Sequence, residues 1–145
     1  MPILNYTTDI PVVRSIAEIQ ALLAKKGARS ITQEYEGANV HALSFTMNVG
    51  KALVRFSLPV NVAGVLQAMQ KDRAKGTSPE QAARCAWRIL KDWIEAQMAL
   101  IESGQAQTEQ VFMPYAQHEN GRTMFQIWQG QLQKQLTSPP SDHEQ

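Results

Sequence analysis

Arg84, Arg88 and Lys91 are the residues of this chain whose spacing comes nearest to a binding chemistry. Steps of four and then three residues align side chains along one face of a helix, so these cations would form a ridge able to meet successive phosphates. Lys71, Arg73 and Lys75 stand in a charged connector upstream, and Trp87 offers a stacking surface beside the ridge. Glu95 continues the same ridge one helical turn past Lys91, so ordinary surface ion pairs account for the same pattern. Indoles at helical spacing are more often core than platforms for bases.

The other chemistry-bearing residues form no working set. His41, His118 and His143 share no metal-ligand spacing with one another or with Cys85, the single cysteine. Cys85 falls on an apolar helix face, where a thiol behaves as a small hydrophobe without the base and electropositive access that a nucleophile needs. Glu34 and Glu36 share one strand face and could hold a metal, yet they end at a turn, where acids are commonly solvated. Asp92 and Glu95 read more simply as a salt-bridge cluster with Arg88 and Lys91. No glycine-rich phosphate loop, nucleophile elbow or His-Glu-x-x-His pair occurs. The sequence argues for no catalytic residue, no metal and no cofactor, and the expectation is a non-enzymatic binding protein.

A formal net charge of +1 over 145 residues conceals a segregation. Residues 1–50 balance, residues 51–91 carry +6, and residues 92–145 carry −5. Such a chain can present a basic face that its overall balance hides, or merely a solvated surface whose charges cluster. With one cysteine, no basic leader before a long apolar run, and no apolar stretch near the roughly 20 residues of a membrane span, the expected setting is cytoplasmic and membrane-free.

The elements that must position these residues are well punctuated. Residues 78–104 have Ser78 as cap, Pro79 at the first position, Gln81 to complete a capping box and Gly104 as the stop. Between them run two adjacent apolar stripes, one through Cys85, Ile89 and Trp93, the other through Trp87, Leu90, Ile94 and Met98. That width marks a central helix with neighbours on two sides. Upstream, residues 3–8 read as a short first strand ended by Pro11, and Ser15 with Glu18 as the capping box of a helix that Gly27 terminates. The period then changes from 3.6 to 2, and residues 29–36, 40–47 and 51–58 read as a three-stranded meander. Asn61 caps a short helix with Val62, Val65, Leu66 and Met69 inward. Residues 111–115 are apolar enough to be a buried strand or extended strap, and Asn120-Gly121 is a turn. Thr123 with Gln126 opens a last helix over 123–136, whose Met124, Trp128, Leu132 and Leu136 make a narrow stripe between glutamines.

The fold expected is a single α+β domain over 1–136, with a disordered tail over 137–145. It comprises an N-terminal strand and helix, a three-stranded antiparallel meander, then a long central helix and a C-terminal helix packed on one sheet face.

Three stretches, NYTTDIPVVRSIAEIQALLAKKGARSI, AWRILKDWIEAQMALIESG and VFMPYAQHENGRTMF, carry a resemblance. Together they resemble a family of small hypothetical proteins of bacterial prophages and other mobile elements, over most of residues 4–128. The resemblance implies a phage or mobile-element setting and assigns no catalytic or binding residue. Small proteins of that setting often bind nucleic acid or block a host protein, which is analogy and not a site.

Three functions stay open on these residues. Nucleic acid could be engaged through Lys71, Arg73, Lys75, Arg84, Arg88 and Lys91. A protein interface, with a host factor or with a second copy, could be built on Met124, Trp128, Leu132 and Leu136. A small ligand such as a nucleotide could sit on the wetter sheet face near Arg55, His41 and Tyr35.

Overall fold

The computed structural model describes residues 2–137. The expected tail therefore lies, beyond Thr137, outside the described residues. Helix α1 (Val12–Lys25) leads into strands β1 (Ser30–Glu36), β2 (Asn39–Val49) and β3 (Ala52–Ser57). Helices α2 (Val62–Lys71), α3 (Pro79–Glu102) and α4 (Thr108–Phe112) follow, then a 3-10 turn (Met113–Tyr115) and α5 (Met124–Thr137). The class is α+β, and the sheet is the antiparallel meander β1-β2-β3.

Alternation along the strands decides which face is buried. Ile31, Phe45 and Phe56 lie side by side across the three strands, with Leu43, Met47 and Leu58 on the same inner face. That face meets Ile16, Ile19 and Leu23 of α1 and Trp87, Leu90, Ile94 and Met98 of α3 in one core cluster. At about 1.5–3 kcal/mol per fully buried large apolar side chain, this cluster is the main source of stability. Helix α3 is central as its two stripes require: it packs on α1 and on α2, with Cys85 and Trp87 fully buried. Its ends match the sequence. Gln81 N–H donates to Ser78 Oγ at 3.0 Å, and Gly104, at φ 76°, closes the helix with Gln105 N–H donating to Leu100 O at 2.9 Å.

Four local expectations need correction. Residues 4–7 form turns and not a strand, with Asn5 in the left-handed region at φ 66°. Their backbone needs no strand partner, because α3 satisfies it. Cys85 Sγ donates to Leu4 O at 3.1 Å, and Gln81 Nε2 donates to Tyr6 O at 3.0 Å and Thr8 O at 2.7 Å. The Gln81 Oε1 that the reciprocal half of the Ser78 capping box would need accepts instead from Arg84, at 2.9 and 2.7 Å, so that half does not form. Helix α1 starts earlier than read, behind Pro11, and Ser15 is a buried residue inside it, not its cap. Residues 111–115 are the end of α4 and a 3-10 turn, since Pro114 lacks the N–H a strand ladder would need. Phe112 from this segment plugs the core, edge-on to Phe45 at 5.4 Å and to Trp93 at 5.9 Å.

Candidate functional site

The C-terminal helix is held at its start and uncovered beyond it. Thr123 and Gln126 form the complete reciprocal capping box, at 2.9 and 3.2 Å. Met124 N–H donates to Ala116 O at 2.8 Å, and Gln117 N–H donates to Arg55 O at 2.8 Å, which ties the start of α5 to the edge of β3. The main body in contact with α5 is the 3-10 turn, not the sheet. No residue of α5 is buried, and residues 131–137 are all exposed. Met124, Trp128, Leu132 and Leu136 therefore form an apolar stripe open to solvent, as their four-residue recurrence implies.

Structure adds to this stripe what the sequence did not reveal. Phe125 joins it, with its ring centroid 6.0 Å from that of Trp128. Between the first turns of α5 and residues 104–114 opens a groove of about 930 Å³, walled by Met113, Pro114, Met124, Phe125 and Trp128. Gly104, Gln105, Ala106, Gln107, Glu109 and Gln110 complete its lining, so Glu109 is its one charged residue. Along α5 the one charge is Lys134. An aromatic- and methionine-rich surface depleted of charge has the composition of the core of a protein interface. The signal in the sequence was the glutamine-rich, charge-poor run after Gly104, whose meaning depended on its meeting α5.

The basic ridge has a different fate. Arg88 reaches across to Glu18 of α1, so its side chain is only 13% exposed. Glu18 also meets Arg14 at 3.4 Å, and its hydrogen bond from Arg88 holds its carboxyl below the ordinary 4.5, against the opposing effect of burial. Lys91, 15% exposed, pairs with Glu95 on the next turn and approaches Asp92. Arg84 donates through Nε and Nη2 to Gln81 Oε1 at 2.9 and 2.7 Å. The ridge is thus part of the α1–α3 packing, with its middle and end neutralised by carboxylates. Lys71, Arg73 and Lys75 are exposed, and among the described residues none of them, nor Arg84, makes an ion pair. Lys75 and Arg84 line an open groove of about 680 Å³, where Asp9 and Glu80 interleave with them.

The sheet residues do not converge. Arg55 pairs with Thr46, and Tyr35 with Val40 at the opposite end of β2, about 20 Å apart at 3.3 Å per residue. His41 is exposed at the bulge beside Val40. Cys85 is fully buried, which pushes its thiol pKa up. Among the described residues no group of three or more His, Cys, Asp or Glu is placed to hold a metal ion, and no helix is long and apolar enough to cross a membrane. No family model, curated protein or solved structure matches the chain.

Proposed function

We propose that this chain is a non-enzymatic protein-interaction module whose working surface is the α5 stripe and the groove beside it. The observation that carries the reading is that α5 buries none of its residues while presenting Met124, Phe125, Trp128, Leu132 and Leu136. A helix of 14 residues is marginal alone in water and gains its stability from packing an apolar face, so this face calls for a cover. The near absence of charge over the same surface supports a protein cover over a phosphate backbone, which needs clustered cations. A phage or mobile-element setting belongs to the proposal on the sequence resemblance alone.

The nucleic-acid reading rests, after the pairing of Arg88 and Lys91, on Lys71, Arg73, Lys75 and Arg84. One comparison separates the two. Labelled single- and double-stranded DNA and RNA are titrated at low salt against the wild type and against a variant with those four residues changed to Ala. In parallel, a photo-crosslinking side chain is placed at Leu132 in cells. The interaction module predicts protein adducts at Leu132 and no salt-steep binding that the four cations govern. Salt-steep binding lost in the Ala variant, with no protein adduct at Leu132, would replace this reading with the nucleic-acid one.

A further inference from the structure

We infer that the cover of α5 is a second copy of this chain, the distal half of each α5 seated in the groove of the other around a twofold axis. This rests on the reading of α5 as an interaction surface and names its partner. Among the described residues nothing buries this stripe. The first two turns of α5 are a wall of the groove, so that helix cannot also fill it. Residues 138–145, Ser-Pro-Pro-Ser-Asp-His-Glu-Gln, hold no large apolar side chain to place there.

A second copy supplies what the groove lacks. Leu132 and Leu136 are apolar and exposed, matching the apolar walls Met113, Pro114 and Phe125. Both surfaces are otherwise rich in glutamine, Gln105, Gln107 and Gln110 in the groove and Gln131 and Gln135 beside the stripe, with Glu109 and Lys134 as the one charge of each. A side-chain amide carries both donors and an acceptor, so it pairs with its own kind across a twofold axis without an unmatched charge. The area suffices. The exposed fractions of Met113, Met124, Phe125, Trp128, Leu132 and Leu136 (52, 38, 47, 55, 37 and 77%), at about 200 Å² per large side chain, sum to about 600 Å² per copy. Two copies would bury about 1,200 Å², the lower edge for a stable specific interface.

Sedimentation equilibrium over a concentration series is the first test, on the wild type and on Trp128→Asp. A reversible dimer is expected, with the dissociation constant raised about thirtyfold or more by Trp128→Asp, the loss typical of an aromatic anchor. Trp128 is exposed within one copy, so in dilute solution, where both are monomers, the variant should keep the wild-type melting temperature, which circular dichroism checks. The second test mixes Leu136→Cys with Met113→Cys under mild oxidation. A covalent heterodimer is expected, and fully buried Cys85 does not compete. A dimer without that cross-link would overturn the seating of α5 in the partner groove. A monomer at every concentration would overturn the second copy altogether. Acrylamide quenching, read as wild type minus Trp128→Phe, then tells the two levels apart. Freely quenched Trp128 in that monomer leaves the surface open for another protein, so the interaction reading stands; shielded Trp128 means its own domain covers it, and both fall.

Discussion

Replacing Glu18 by Gln tests whether the middle of the basic ridge is scaffold. Glu18 is the carboxylate on which Arg88 and Arg14 converge, and the variant keeps an amide oxygen for Arg88 but removes its counter-charge. The Arg88 side chain is 13% exposed, so its charge would stay largely out of water without a counter-charge. Breaking a fully buried pair from one side costs about 3–5 kcal/mol, and an exposed pair about 0–1. With Glu18 still 32% exposed, the expected loss is intermediate and screened, about 1–2 kcal/mol. For a chain of this size that is a fall of about 3–6 °C in melting temperature. The pH dependence has a definite sign. A carboxyl held below its ordinary 4.5 contributes stability that is present above that value and lost as pH falls through the depressed one. Urea unfolding of wild type and Glu18→Gln should therefore differ near neutral pH and converge as pH drops below 4.5. Equal stabilities at neutral pH, or a gap that persists in acid, would refute the role given to this pair.

Three further substitutions probe the frame around α5 and the connector. Phe112→Ala should cost about 3–5 kcal/mol, because its ring packs on Phe45, Phe56 and Trp93, and the seat of α5 on the 3-10 turn should loosen with it; denaturation and amide exchange of residues 113–130 check this. Gly130→Ala should stabilise α5 by about 1 kcal/mol, since the added Cβ meets nothing within 4 Å, and the ellipticity at 222 nm should become more negative. Arg73→Gly should raise stability by about 1 kcal/mol, because Arg73 holds φ 53° where α2 closes with Ala74 N–H donating to Met69 O at 3.0 Å; a lowered urea midpoint would contradict this.

What the sequence reveals and what it withholds divide along sequence distance. Ser78, Pro79 and Gly104 act on backbone within one turn of themselves, so the ends of α3 are legible directly. The change of period after Gly27 fixes which strand residues share a face, and hence that Phe45 and Phe56 meet. Residues 3–8 mislead because their β-branched and aromatic types suit a strand. Their conformation is set by Gln81 and Cys85, whose hydrogen bonds span 73 to 81 residues. The ridge misleads for the same reason: Arg88 finds its carboxylate 70 residues away on α1. The α5 stripe is readable from its own four-residue spacing. Its groove is not, because two segments must meet to make it.

Concentration-dependent hydrogen exchange of residues 131–137 tests the central claim most directly. In dilute solution an uncovered helix with no buried residue should exchange nearly as fast as an unstructured peptide, while the core of α3 stays protected. Protection of these residues should then rise as the protein is concentrated and two copies meet. Full protection at the lowest concentration would contradict the account, because the chain would then be covering α5 by itself. Fast exchange at every concentration would contradict it equally, because no second copy would be seated there.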